Sequence, residues 1–252
     1  MPILTNPFVK VVNQMNGIPT TVTGLEDMPE LKARYKAREA SLYISMQQVL
    51  SQVAELLAPD EEILSMMPMT NEENAGYATD GIMGMYAPQT QKAKDYIKSQ
   101  SSLRGNRLML FTNQRMIFFV VIEFIDDPTA YYSYAYDQIK HIKFKQHRMS
   151  IPGAKPWQRE YFSWYGVDFE TADRHIFNEV LTSANGKQFQ RNLVAIPGMR
   201  QIDISEKQNR YFSRDNYLGG SYMYIQIFVW LIVAVGGLSL ISFLVAWLSS
   251  QF

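Results

Sequence analysis

Between Pro29 and Pro59 the apolar positions recur at helical spacing. Leu31, Tyr35, Leu42, Met46, Val49, Leu50, Val53, Leu56 and Leu57 approximate one face, at steps of three, four and seven. This predicts an amphipathic helix over residues 28–58, opened by Pro29 and stopped before Pro59. Upstream, residues 1–27 show no clear period and read as an irregular arm. After Asp60 the period falls to two, and residues 62–68 predict a short strand ended by proline. Residues 69–104 are polar and glycine-containing. They read as an inserted segment, with a short helix in QKAKDYIKSQ, and a segment of that length is often functional.

Two apolar runs, 107–111 and 116–124, flank Thr112-Asn113-Gln114-Arg115 and predict a β-hairpin. Strands are expected over 131–136, 138–145, 161–169 and 174–182, with a loop marked by Pro152, Gly153 and Pro156. Ala184-Asn185-Gly186-Lys187 reads as a turn. A helix then begins near Lys187 and stops at Pro197, and residues 205–221 read as a polar juxtamembrane linker.

From Tyr222 to Leu248 there is no charged residue. About 20 helical residues cross a hydrocarbon core of roughly 30 Å, so residues 222–249 are expected to form a single transmembrane helix. Tyr222, Tyr224 and Trp230 at one end and Trp247 and Phe252 at the other fit interfacial belts. Ser242 and Ala246 form a small-xxx-small pair that would let two spans pack as a homodimer. Lys207, Arg210 and Arg214 precede the span and nothing basic follows it. This orients the body to the cytoplasmic side of a plasma (inner) membrane. The first residues lack a basic region followed by an apolar stretch, so they do not read as a secretory signal.

Composition narrows the function. Net formal charge is zero, which disfavours a general nucleic-acid binder. Aromatic content of 13% is high for a disordered tether. The absence of cysteine excludes disulfides, thiolate nucleophiles and Cys-ligated metals. Charge is unevenly placed. Asp60, Glu61, Glu62, Glu72, Glu73 and Asp80 form an acidic stretch, while Lys140, Lys143, Lys145, Arg148, Lys155 and Arg159 form a basic one.

Phe111-Thr112-Asn113 with Arg115, followed by Tyr136, Ile139 and Ile142 in a Tyr-x-x-Ile-x-x-Ile run, resembles the bacterial pleckstrin-homology-like (GRAM-like) domains. The upstream PDEEILSM resembles that family's opening strand, with Asp60 where Gly is common. The resemblance implies an α+β fold over residues 59–204: a small, partly open antiparallel β-barrel capped by a helix. Thr112, Asn113, Arg115, Tyr136, Ile139 and Ile142 are its fold motif. The physics suits the pattern, since Thr112 and Asn113 can hydrogen-bond their own backbone in a turn.

No nucleotide, metalloprotease or hydrolase motif occurs. His141 and His147 stand beside Lys143 and Lys145, whose charge opposes protonation and metal capture alike. Asp173, His175 and Glu179 are neighbours in sequence, but acids beside a histidine are commonplace. No catalytic residue, metal or cofactor is expected, and the chain reads as a non-enzyme. Strand parity places His141, Lys143, Lys145 and His147 on one face, with Arg148, Lys155 and Arg159 in the adjoining loop and Ile142 and Phe144 turned inward. The expected function is a membrane-anchored interaction module that binds a protein partner as well as the lipid bilayer. The alternative is anionic headgroup binding through His141, Lys143, Lys145, His147 and Arg148. A membrane hydrolase or transferase is the reading from another class.

Overall fold

The computed structural model describes residues 6–18, 29–69, 91, 94–95, 106–153, 157–172, 175–211, 227–239 and 242. The elements run α1 (Pro7–Met15), α2 (Pro29–Leu56), β1 (Ile63–Met69), β2 (Arg107–Thr112), β3 (Arg115–Val120), α3 (Val121–Asp126) and β4 (Tyr132–Ala135). They continue with β5 (Ile139–Pro152), β6 (Arg159–Thr171), β7 (Ile176–Thr182), α4 (Ser183–Ala195) and β8 (Asp203–Ser205).

The architecture is α+β with two four-stranded sheets, ordered β1-β2-β3-β4 and β7-β6-β5-β8, and no closed barrel. It stacks as helix, sheet and sheet. Leu108, Leu110, Ile117 and Phe119 face Phe8, Met46, Val49 and Val53 of α1 and α2. The alternate residues Met109, Phe111, Met116 and Phe118 face Phe169, Phe177 and Phe189 in the core between the sheets and α4. Both faces of β2 and β3 are therefore buried, which is why their sequence is a continuous apolar run rather than an alternation.

The barrel expected from the pleckstrin-homology-like resemblance is not formed, and the reason lies at the edge of β1. Asn16 clasps Met66, donating from Nδ2 to its carbonyl at 2.6 Å and accepting its amide N–H at 2.9 Å. Asn185 Nδ2 donates to the Pro68 carbonyl at 2.6 Å, and Gln188 Nε2 to the Met66 carbonyl at 2.8 Å. Side-chain amides thus hold the groups that a closing strand would need, and they blunt the edge. At the other end of this sheet the chain leaves β4 through a 3₁₀ turn, Tyr136–Gln138, and enters β5 in the second sheet.

Other expectations shift for local reasons. Residues 1–27 include a helix, α1, which Pro7 opens and Asn6 caps by accepting from Phe8 N–H at 3.0 Å. Its single turn-and-a-half of buried residues is too short to show a period. The run 116–124 bends into α3 at Val121, which turns Phe124 onto Phe119 with ring centroids 4.3 Å apart. Residues 184–187 lie inside α4, capped by Thr182, which accepts from Asn185 N–H at 3.1 Å. Gly186 is there because the helix crosses Tyr165: a Cβ would lie 2.1 Å from its ring.

The transmembrane expectation is overturned. Among the described residues no helix is long and apolar enough to cross a membrane. The rest of the expected span, the Ser242–Ala246 pairing and nearly all of the 69–104 segment lie outside the described residues. Arg210, read as an orienting flank, is buried. Its NH1 and NH2 groups meet the Asp168 carboxylate at 2.6 and 2.7 Å, and Asn178 Nδ2 joins at 2.7 Å. Tyr211 N–H then donates to Glu170 at 2.9 Å, so the segment up to Tyr211 straps over the second sheet.

The fold-motif residues converge on Glu61. Its side chain is 1% exposed, and it takes Arg115 Nε at 2.8 Å, Arg115 NH2 at 3.0 Å, Thr112 Oγ at 2.8 Å and the Ala58 amide at 3.2 Å. Arg115 also donates to the Leu56 carbonyl at the end of α2 and to Ser133 on β4. Asn113 pairs with the backbone of Asp60 and Glu62, and Tyr136 OH donates to the Thr112 carbonyl at 2.9 Å. Ile139 and Ile142 are core residues. Burial works to raise the Glu61 carboxyl. Hydrogen bonds from Arg115, Thr112 and Ala58, with the Arg115 charge, outweigh it and hold the group below its ordinary value.

Two stability predictions follow from this packing. A carboxyl lowered in the folded state stabilises above its unfolded value, about 4.3, and that contribution is lost as pH falls through the lowered folded value. Glu61→Gln is expected to cost about 2–4 kcal/mol at pH 7 and to flatten the acid loss below about pH 4. Urea unfolding of both proteins at pH 7, 4 and 3 measures both effects. Gly186→Ala gains about 1 kcal/mol of helix propensity but forces the Tyr165 ring to move. The net loss is expected to be about 1–2 kcal/mol, read as a lowered urea midpoint.

Candidate functional site

The β5–β6 hairpin outgrows the body. Its ladder runs from Ile142↔Phe169 to Pro152↔Arg159. On its flanks β8 pairs only with 141–143 of β5, and β7 only with 164–170 of β6. Among the described residues the ribbon beyond His147 has no third strand, and it extends about 16 Å at roughly 3.3 Å per residue. Bare two-stranded ribbons are marginal in water. This one is held by cross-strand side-chain pairs. His147 stacks on Trp164 with centroids 5.4 Å apart, Phe162 lies 5.8 Å from Trp164, and the Arg148 guanidinium sits 3.8 Å above the Tyr161 ring.

Register assigns the faces. His141, Lys143, Lys145, His147 and Met149 share one face with Asp168, Gly166, Trp164 and Phe162. Ile142, Phe144, Gln146, Arg148 and Ser150 share the other with Phe169, Val167, Tyr165, Ser163 and Tyr161. Near the body this second face is core, with Phe144 stacked on Tyr165 and Phe189. Further out the same parity carries Arg148, Tyr161 and Arg159 into solvent. Both faces thus become exposed: Met149 is 51%, Trp157 78%, Tyr161 60% and Phe162 56% exposed. Between 143 and 164 the sequence sets Lys143, Lys145, Arg148, Lys155 and Arg159 against Glu160 alone.

The residues expected to read a headgroup are only partly brought together. His141 is buried, with Nδ1 2.9 Å from Asp203 Oδ2 and Nε2 2.9 Å from the Lys207 carbonyl, so it ties β5 to β8. Lys143 is half-buried at the same junction, opposite Ser205. Lys145 Nζ lies 3.9 Å from Glu206. His147 is half-buried against Trp164. Arg148 is on the strand rather than in a loop, and it faces away from the other four. Arg159 is likewise on a strand, and Lys155 lies outside the described residues.

Burial lowers the His147 imidazole below its ordinary value, the charges of Lys145 and Lys143 lower it further, and Glu206 works the other way. A titration of the ring by NMR is expected to give a midpoint below about 6.5. That midpoint should rise in Lys145→Gln, which removes one of the opposing charges.

The apolar set Met149, Tyr161, Phe162 and Trp164 was missed because alternation was read as one buried face. The available signal was apolar residues at both parities, Tyr161-Phe162 and Trp164-Tyr165, beside a Pro-Gly loop. Elsewhere, Glu179 is paired with buried Arg107 at 2.8 Å, His175 Nε2 lies 2.9 Å from Tyr134 OH inside the core, and Asp173 is outside the described residues. Among the described residues no group of three or more His, Asp or Glu side chains could hold a metal ion.

No family model matches the chain, and no curated protein matches it. A solved structure, the hSac2 domain from human phosphoinositide phosphatase Sac2, matches over 68% of this chain and 92% of that one. Its identity is 12% and its TM-score 0.35. At that score the likeness carries neither fold nor activity to this chain. The pleckstrin-homology-like assignment therefore has no support among the comparisons. The expected non-enzymatic anchored module is not upheld, since among the described residues no helix is long and apolar enough to anchor it, and the expectation of a non-enzyme has no support among the comparisons. A single-pass placement in the plasma membrane falls with the transmembrane helix.

Proposed function

We propose that the chain binds an anionic lipid surface peripherally, through the distal β5–β6 hairpin. One observation carries this reading: a projecting ribbon exposes Met149, Trp157, Tyr161 and Phe162 together with Arg148 and Arg159. Aromatic rings with an apolar body and a polar edge settle at the headgroup level of a bilayer. Cations beside them gain about 1 kcal/mol each from an anionic leaflet. The apolar side chains supply contact that does not depend on salt, and the arginines supply the preference for negative charge. The contact then lies on the distal part of β5 and β6 rather than on the proximal part of β5 that carries His141, Lys143 and Lys145.

The test uses the full chain with Trp164, Trp230 and Trp247 changed to Phe, so that Trp157 alone reports. Vesicles of phosphatidylcholine, with or without 30% phosphatidylserine and with brominated chains, are the probe. Trp157 emission is expected to shift blue and be quenched by the anionic vesicles. Arg148→Glu with Arg159→Glu is expected to weaken this at least about tenfold. Unchanged Trp157 emission with every vesicle, even if the protein floats with them, would overturn the reading.

A further inference from the structure

The strap that runs from β8 to Tyr211 is fastened to the body at two places of different chemistry. At the far end Arg210 grips Asp168 with its planar fork, at 2.6 and 2.7 Å. At the near end the fastening is the His141 ring. It is 5% exposed and both of its nitrogens are engaged. Nδ1 lies 2.9 Å from Asp203 Oδ2, and Nε2 lies 2.9 Å from the Lys207 carbonyl oxygen. Both partners belong to the strap, and neither an ionised carboxylate nor a carbonyl has a proton to give.

A neutral imidazole carries one ring proton, so either tautomer sets a bare nitrogen against an oxygen at hydrogen-bond distance. With the proton on Nε2, Nδ1 faces the Asp203 charge. With the proton on Nδ1, Nε2 faces the Lys207 carbonyl. Ser205 does not relieve this. Its Oγ, 3.3 Å from Nε2, donates to the Lys207 carbonyl at 3.1 Å and accepts the Lys207 N–H at 3.2 Å. Turning that proton to Nε2 would break the first bond and still leave the carbonyl against the ring. Only the imidazolium has a donor for each acceptor. The other charged or titratable groups at this junction are Glu206, Lys207, Arg210 and Tyr211 on the strap, Lys143 on the same face of β5, and Asp168 and Glu170 on β6. Asp168 is matched by Arg210, Glu170 takes the Tyr211 amide, and Glu206 lies 3.9 Å from Lys145. Asp203 is the acid that touches the ring.

We infer that His141 is a proton-operated clasp: doubly protonated, it pins residues 203–207 to the edge of β5, and loss of one proton releases them. The closed strap needs a proton that the released strap does not. Closure is therefore favoured on the acid side and lost as pH rises. Release would uncover the β5 edge that β8 pairs at 141–143 and part Lys145 from Glu206. A guanidinium keeps its charge throughout this range, so the strap opens from the His141 end and stays fastened at Arg210. The clasp does not depend on docking by the hairpin.

The experiment follows the full chain by NMR from about pH 5.5 to about pH 8.5, a range that brackets the ordinary imidazole value. At the acid end His141 is expected to show a proton on each ring nitrogen. Exchange protection of the amides of residues 203–207, corrected for the intrinsic rate, is expected to fall about tenfold or more as pH rises. Protection of the β2–β3 ladder is expected to hold. Asp203→Asn supplies an amide that can turn its NH2 toward Nδ1, so a ring with its one proton on Nε2 satisfies both contacts. This variant is expected to stay protected across the range, and His147→Gln to keep the full pH dependence.

A single ring proton on His141 beside a protected strap at the acid end would overturn the clasp. So would protection that does not change with pH. A change that persists in Asp203→Asn, or a strap open at every pH in that variant, would overturn the donor count on which the clasp rests. Loss of the pH dependence in His147→Gln would assign the titration to that ring and overturn it as well.

Discussion

The Glu61 carboxylate is the point at which three separate parts of this chain are made to agree. It lies just past the end of α2 and before β1, and its partners Thr112 and Arg115 belong to the β2–β3 turn. Through Arg115 it also holds the Leu56 carbonyl at the end of α2 and the β4 hydroxyl of Ser133. A buried carboxylate is tolerated only when its charge and lone pairs are met. Here Arg115 and Thr112 of the hairpin and the Ala58 amide just past α2 meet them together, so helix, first strand and hairpin turn cannot move independently. The Tyr136 hydroxyl, held close to this charge, is pushed well above its ordinary pKa, first by burial and then by Glu61. That ring in turn sits against Gly198, where a Cβ would lie 2.5 Å from it. The constraint therefore extends from the helix layer to the segment that follows α4.

This explains how much could be seen from the sequence. Thr112, Asn113, Arg115 and Tyr136 stood out as a motif because a tight turn with a long-range polar latch needs those chemistries at those spacings. The partner that gives them meaning, Glu61, looked like one acid among many in a charged stretch. Long-range pairing has no local signature, and the same applies to Arg210. Among the flanking bases it looked like a membrane-orienting charge, yet it reaches back to Asp168 on β6. Element types were legible where periodicity was long, as in α2. They failed where an element was short, as in α1, or where a glycine needed for helix packing imitated a turn, as at Gly186.

The architecture was less legible than its elements because strand count does not settle whether strands close. The amides of Asn16, Asn185 and Gln188 decide the question at β1, and amide side chains carry no pattern that announces such a role. They come from α1, α4 and their flanks, so the two ends of the described body cooperate in blocking one edge. The sheet is then free to lie between a helix layer and a second sheet. It buries both its faces and still ends.

The same topology creates the arm. Once β8 covers only three residues of β5, and β7 reaches β6 only as far as Trp164, the remaining ladder has no further strand beside it among the described residues. A ribbon in that position would ordinarily be short and polar to avoid pairing with other chains. This one is long and aromatic on both faces. Its exposed rings are partly shielded by each other and by Arg148, so the free arm is stabilised within itself while its apolar surface stays in reach of a partner. The stacking that holds Arg148 over Tyr161 also removes much of the side chain's freedom before any ligand arrives, which lowers the ordering cost of binding an anion there. Stability of the arm and readiness to bind thus come from one contact, and any substitution at Tyr161 would alter both together.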